Sequence, residues 1–320
     1  MSQPHKQPEF FFFFFFFTTC RQEDTDLGGR PTEFQAKYLQ AQPLGKGGFG
    51  SVFAGFRIAD YLPLVDGKLY QFPLEVELLL QVGAGAGPSG SSAAVTLLDW
   101  FYMEQQLILV MERPFPSVDL HHYLTWKGEG VCVCVCVQLV DAAIEIHTKG
   151  VFHRDLKPRN ILMDIRSQLP CVRLIDFGCG ATLHEGLYTE HRGTFYYTPP
   201  EWFRFRRCSA GPTTVWQVGV VLFEMLFSYR PFKTESQIIH SHLVFGDEVS
   251  QECQHFLSQC LAKSPESRPT LEQLRLHPWL KSQMSLGLLP TIWSPLLWQS
   301  ACLCEGLFSS LHGQLGVTAL

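Results

Sequence analysis

Apolar side chains are distributed along this chain in three ways. Residues 10–17 form an unbroken run of phenylalanine. Eight apolar residues fall well short of the about 20 that cross a bilayer. Glu9 beside the run, and no small-residue cleavage site after it, count against a signal peptide. The reading is a low-complexity tract with no folded role, within an amino-terminal segment over residues 1–36. From about residue 37, short apolar runs between glycine and polar residues predict strands. Leu44-Gly45-Lys46-Gly47-Gly48-Phe49-Gly50-Ser51-Val52 reads as strand, glycine-rich turn, strand, and residues 107–111 as an apolar strand. Farther along, the spacing turns helical over residues 218–227, 250–262 and 271–276. A Gly-, Ser- and Ala-rich stretch at 83–93 predicts a flexible loop. Residues 281–320 are apolar but broken by Pro290 and Pro295, so they predict no membrane span and no assignable element.

Composition narrows the classes. At 320 residues the chain is about two domain-lengths, enough to bury a sizeable core. Its net charge is −5 with no basic run, so nucleic acid is not an implied partner. Eleven cysteines would suit a secreted framework, but three simply alternate with valine at Cys132, Cys134 and Cys136. No spacing among them resembles a zinc site or a disulfide module, and they read as reduced thiols of a cytoplasmic protein.

The chemistry concentrates in His153-Arg154-Asp155-Leu156-Lys157-Pro158-Arg159-Asn160, followed by Asp176-Phe177-Gly178. A carboxylate, an ammonium and an amide lie within two turns' reach of one another, and a second carboxylate sits on a glycine-tipped turn. Phosphoryl transfer needs these parts: a base for the incoming hydroxyl, a cation on the moving phosphate and oxygen ligands for Mg²⁺. Upstream, Gly45, Gly47 and Gly50 would let backbone approach phosphates with no Cβ in the way. Alone, G-x-G-x-x-G is equally a plain hairpin; about 100 residues before such a loop it gains weight.

The pattern H-R-D-L-x-x-x-N plus D-F-G resembles the catalytic and metal loops of protein kinases. Residues 38–280 closely resemble one branch, the PIM serine/threonine kinases, most specifically at 42–55, 97–120 and 174–216. Glu112-Arg113-Pro114-Phe115-Pro116 matches that family's hinge, in which Pro114 has no N–H to offer adenine. The resemblance implies an α+β, bilobal protein kinase fold. A small antiparallel β lobe plus helix C would span about 37–112, and a larger, mainly helical lobe about 113–280, with ATP between them. It implies that Asp155 orients the substrate hydroxyl and accepts its proton, that Lys157 steadies the γ-phosphate, and that Asn160 and Asp176 hold Mg²⁺. Around the nucleotide it places Leu44, Gly45, Lys46, Gly47, Gly48, Phe49, Gly50 and Val52, with Met111 at the back of the pocket. The Glu112 carbonyl would contact adenine, and Leu162, with Ile161 and Ile175, would form the floor.

Lys157 two residues beyond the aspartate, together with Gly193-Thr194, resembles Ser/Thr rather than Tyr kinases. Glu201 and Arg268 are expected as a buried structural pair. Glu190 is expected to pair with Arg154 in place of an activation-loop phosphate, which implies constitutive competence. The implied partners are protein substrates carrying Ser or Thr, met by a monomer in the cytoplasm with the nucleus as a second compartment, away from membranes. Asp119 keeps one of the acids that attract basic substrates, but His122 and Arg159 replace others and weaken that preference. His121 and His122 have no third ligand nearby and read as exposed helix residues.

One strand departs from the family. Its V-A-I-K lysine holds phosphates and pairs with a helix C glutamate; here the chain reads Leu62-Pro63-Leu64-Val65-Asp66-Gly67-Lys68. Ungapped alignment puts Gly67 at the lysine position, and a one-residue slip turns Lys68 to the opposite face. Lys68 is the expected substitute cation and Glu75 the expected helix C carboxylate. Part of the lysine-bearing strand is missing, so the small-lobe sheet is expected to be damaged. Residues 131–137 alternate Val and Cys; alternation ordinarily predicts a strand, yet both residues are small and apolar enough for the buried helix that the resemblance implies. Two functional readings stand: a serine/threonine kinase, or a pseudokinase that keeps the fold as a binding module. A third reading is a gene whose message encodes the missing strand.

Overall fold

The computed structural model describes residues 12–19, 38–46, 50–57, 73–83, 92–103, 106–123, 129–166, 170–246 and 248–285. The readings at Gly47, Gly48, Phe49, Gly67 and Lys68 lie outside these residues, as does the chain beyond 285.

Five strands build the small lobe: β1 (Phe12–Thr19), β2 (Tyr38–Lys46), β3 (Gly50–Arg57), β4 (Leu97–Met103) and β5 (Gln106–Glu112). They form one antiparallel sheet in the order β2-β3-β1-β5-β4. The phenylalanine run is thus not a tract without a folded role. It is the central strand, with Phe15 opposite Phe53 of β3 on one side and Val110 of β5 on the other. Bulky aromatic residues favour extended backbone with neighbours on both edges, and that preference outweighs the monotony of the sequence. Among the described residues the sheet expected to be a strand short has five strands, with β1 making up the number.

Helix α1 (Leu74–Gly83) buries Val76, Leu78, Leu79 and Val82, and carries Glu75 and Glu77 in its first turn, where the helix dipole favours acids. Gly83 closes this helix. Of the stretch read as a flexible loop, residues 84–91 lie outside the described residues; at its far end Ala93 is buried and pinned. Its carbonyl accepts from Leu174 N–H at 2.8 Å, and Val95 N–H donates to the Leu174 carbonyl at 3.1 Å.

The large lobe is helical, as the spacing predicted. It contains α2 (Leu120–Tyr123), α3 (Glu129–Thr148), α4 (Pro200–Phe205), α5 (Ala210–Phe227), α6 (Glu235–His240), α7 (Gln251–Cys260), α8 (Leu271–Arg275) and α9 (Pro278–Ser285). The Val-Cys repeat lies in α3. Cys132, Val133, Val135 and Cys136 are buried and Cys134 and Val137 half-buried. The less-buried stripe of α3 runs through Cys134, Val137, Gln138, Asp141, Glu145 and Thr148 at helical spacing, but within the repeat it carries only Cys and Val, so that stretch of sequence shows no 3.6-residue period. Helix α5 is the post of the lobe: Val215, Trp216, Val218, Val220 and Val221 are wholly buried. It is long and apolar enough to cross a membrane by length and composition, but it is spent as a core helix. Each large apolar side chain so buried contributes roughly 1.5–3 kcal/mol relative to exposure. Glu201 and Arg268 form the expected buried pair, bidentate at 2.8 and 2.7 Å.

Between the lobes run short strands that position the chemistry. These are β6 (Ser117–Asp119), β7 (Val151–Phe152), β8 (Ile161–Asp164), β9 (Cys171–Leu174) and β10 (Ala181–Thr182). They pair as β6-β8-β9 and β7-β10.

Candidate active site

Strands β7 and β8 flank residues 153–160, and β9 and β10 flank residues 175–180. Because Ile161 lies opposite Leu174 and Ala181 opposite Phe152, the two loops are held side by side. Asp155 is only 1% exposed. Its Oδ1 accepts from Thr194 N–H at 2.8 Å, and its Oδ2 lies 2.5 Å from Lys157 Nζ and 3.3 Å from Asn160 Nδ2. Lys157 Nζ also donates to Thr194 Oγ1 at 3.0 Å, and Asn160 Nδ2 to the Asp155 carbonyl at 3.0 Å. The three predicted catalytic residues therefore share one hydrogen-bonded cluster. Arg154 and Asp176 both adopt positive φ, 68° and 64°. Non-glycine residues hold such backbone at a cost on the order of 1–3 kcal/mol, and it collects at functional sites. Gly193 has φ 108°, and a Cβ there would meet the Arg154 carbonyl at 2.6 Å, so only glycine lets this segment reach the loop.

His153 ties the two loops together. Its Nε2 donates to the Ile175 carbonyl at 3.1 Å, its Nδ1 accepts from Asp155 N–H at 3.3 Å, and its ring lies 4.7 Å from that of Phe177. That pattern calls for the neutral ring with its proton on Nε2, and burial, opposed by Asp176 and Asp155, lowers the histidine below its ordinary value. Burial likewise raises the Asp176 carboxyl, against the pull of His153 and Lys157. Asn160 turns its amide nitrogen to Asp155, and its amide oxygen accepts no hydrogen bond among the described residues. An amide oxygen and a carboxylate suit Mg²⁺, a hard cation that takes few protein ligands and completes its shell with water and phosphate oxygens.

The nucleotide side is less complete. Glu75 sits against the metal loop: a Cβ on Gly178 would lie 3.5 Å from Glu75 Oε2 and 3.4 Å from Asp176 Oδ1. Burial, and then the charge of Asp176, raise Glu75 from 4.5 to about 8. No ion pair reaches it among the described residues. Strand β1 completes the sheet with phenylalanine and threonine alone and brings no cation. Leu44, Gly45 and Lys46 end β2, and Gly50 and Val52 open β3, and the two strands pair up to Lys46 opposite Ser51, on either side of the turn residues that lie outside the described ones.

Met111 is buried near the end of β5, opposite Phe14 and Leu97 in register. The Glu112 carboxylate is a structural anchor. It accepts from Thr96 N–H at 3.0 Å and Thr96 Oγ1 at 3.1 Å, and pairs with Arg173. Arg173 is buried and also donates to the Ala94 carbonyl at 2.8 Å, tying the hinge to the strand before the metal loop. The Pro114 carbonyl accepts from Ser117 Oγ at 2.6 Å. Ile161 and Leu162, expected as floor residues, are buried.

One expected contact is realised differently. Arg154 reaches the Glu190 backbone carbonyl, while the Glu190 carboxylate pairs with Arg192 at 2.8 Å. A carbonyl is available whatever the side chain, so this contact does not depend on an acid at position 190. Asp119 uses its carboxylate locally, accepting from His122 N–H at 3.0 Å and meeting His122 Nδ1 at 2.8 Å. His121, His122 and Arg159 are exposed.

Sequence reasoning passed over Arg173, Thr194 as a partner of both Asp155 and Lys157, and Gln217, which bonds the catalytic-loop backbone from α5. Arg173 and Gln217 carried one signal: each is a lone polar residue inside an apolar buried run, and such a residue needs a partner.

Comparison with known proteins places this geometry among relatives. Residues 74–280 match the protein kinase domain. Over 267 residues the chain is 35% identical to serine/threonine-protein kinase pim-2 of Danio rerio, covering 77% of this chain and 86% of that protein. It is 31% identical over 274 residues to serine/threonine-protein kinase prk-2 of Caenorhabditis elegans, covering 79% of this chain and 60% of that one. To a PAS domain-containing serine/threonine-protein kinase of Mus musculus it is 28% identical over 312 residues, 89% of this chain and 21% of that protein.

Proposed function

Because this chain belongs to the protein kinase family, as a PIM-like serine/threonine kinase, we propose that it transfers the γ-phosphoryl group of ATP to serine or threonine hydroxyls of proteins. The observation that carries this is Asp155, buried and held at both carboxylate oxygens by Thr194, Lys157 and Asn160. A carboxylate fixed in this way orients an incoming hydroxyl and takes its proton as the new bond to phosphorus forms. Lys157, between Asp155 and Thr194, brings positive charge to the path of the moving phosphoryl group. Asn160 and Asp176 would hold Mg²⁺, which when bound neutralises charge on the phosphates. The Glu112 carbonyl, Met111 and Leu162 would frame the adenine.

One observation favours a second reading. Glu75 has no ion pair among the described residues and lies against Asp176, as suits a pseudokinase that binds nucleotide without transferring phosphate. Transfer from labelled ATP with Mg²⁺ to a basic Ser/Thr peptide tests both, with Asp155→Asn as control. Transfer that disappears in the control supports the kinase. Nucleotide binding by folded protein with no transfer supports the pseudokinase.

A further inference from the structure

We infer that Gln217 is the positioning residue of this site, a carboxamide clamp that fixes the backbone on either side of Asp155. Its Nε2 donates to the Arg154 carbonyl at 2.7 Å, and its Oε1 accepts from Leu156 N–H at 3.3 Å. The two bonds bracket Asp155, one to each flanking residue. The first of them also holds the carbonyl of Arg154, whose φ of 68° is a conformation that needs outside support. Thr194, Lys157 and Asn160 set the rotation of the Asp155 side chain; Gln217 sets the main chain from which it projects.

The clamp is mounted on the buried core helix α5. Gln217 is 3% exposed, and its neighbours Val215, Trp216 and Val218 are wholly buried in α5. The nearby hydroxyl of Thr214 is engaged elsewhere, 3.1 Å from His147 Nε2. A carboxamide fits because one group supplies both a donor and an acceptor without charge. A carboxylate keeps only the acceptor, faces the Arg154 carbonyl with a lone pair and adds a buried negative charge near Asp155. An apolar side chain of the same length keeps the helix packing and leaves both backbone groups unpaired.

The kinetic part of the test rests on the phosphoryl transfer proposed above; the exchange part does not. In Gln217→Met, kcat is expected to fall about 10–100-fold, the scale of a small misplacement of a reacting group. The KM values for ATP and peptide should stay within about twofold, because the nucleotide and peptide surfaces are untouched. Hydrogen exchange at the Leu156 amide should quicken at least about tenfold in the same variant, since its acceptor is gone. Gln217→Glu should keep the Leu156 amide protected yet still lose kcat, because only the Arg154 contact is lost. A Met variant with kcat within twofold of the parent overturns the inference, as does a fall in kcat matched by the loss of folded protein. If the Met variant does not fold, the Glu variant decides: unchanged kcat overturns the clamp. If the parent chain transfers no phosphate, the kinase proposal fails by itself, and unchanged Leu156 exchange in the Met variant then overturns this one.

Discussion

The two halves of the site are built to different degrees. On the large-lobe side, Asp155, Lys157, Asn160 and Asp176 are all present, and His153, Thr194 and Gln217 bond the loops that carry them. On the small-lobe side the described residues give the scaffold but not the charge. Five strands pair, α1 packs against the metal loop, and the carboxylate of Glu75 arrives with no cation among the described residues to meet it. The difference teaches that strand pairing and electrostatics are separable requirements. A sheet asks only for backbone groups in register, which any strongly β-prone run supplies. Phosphate binding asks for one particular side chain at one position, and a strand of phenylalanine cannot supply it.

The contrast can be broken most forcefully from the large-lobe side. Asp155→Asn removes the base while keeping its shape, and peptide phosphorylation should drop about 10²–10⁴-fold with thermal stability nearly intact; a drop below tenfold would mean the built half is not the working half. Next in size is Glu75. Its pKa is about 8 in the folded chain against 4.5 for an ordinary glutamate. Between those values the folded chain keeps a proton that the unfolded chain has released, so stability falls as pH rises from about 4.5 to about 8. In protein free of Mg²⁺ and nucleotide, Glu75→Gln should remove that slope, worth a few kcal/mol at about 1.4 kcal/mol per unit. Denaturant midpoints at pH 5 and pH 8 measure it, and identical slopes in both proteins would mean a cation neutralises Glu75 in solution.

Phe15→Pro probes the other half of the contrast. It deletes a ladder donor in a strand paired on both sides and should cost about 1–3 kcal/mol in thermal unfolding, whereas an unpaired tract would tolerate it. The smallest effect sharpens the comparison. Phe14 and Phe16 stand opposite Met111 and Leu109 in register, and those two residues join the core that includes α1. A lysine at either position should raise phosphate transfer roughly tenfold, less than the about 10²–10³ that a native preorganised group supplies. Phe15→Lys, one residue out of phase, should raise nothing.

Much of this was legible in the residues. The order of His153, Asp155, Lys157, Asn160 and Asp176 announced a phosphoryl-transfer site because each type has a separate job there, and the buried partnership of Glu201 and Arg268 followed from the need to pair a buried carboxylate. Three features were illegible for physical reasons. Strand β1 has no alternation, since one residue type repeats, so neither its faces nor its partners can be read from its pattern. The Val-Cys stretch alternates like a strand but lies in a helix whose outward positions there, Cys134 and Val137, are as apolar as its buried ones, so the sequence shows no period although the burial does. The Arg154 contact at Glu190 uses a carbonyl, which every residue has, so no choice of side chain could have revealed it.

Strand β1 also sets the order in which the small lobe can assemble. The strand at the middle of the sheet is made first, and its partners come later: Phe15 waits for Phe53 and then for Val110. Such distant pairing slows folding, because a large loop must close before any contact rewards it. Meanwhile the nascent chain displays an uncharged, proline-free, strongly β-prone window, the kind of segment that pairs with copies of itself. The yield of soluble protein is therefore a race between closing the sheet and self-association, and it should rise as the chain is made more slowly, more dilutely or in the presence of a holdase.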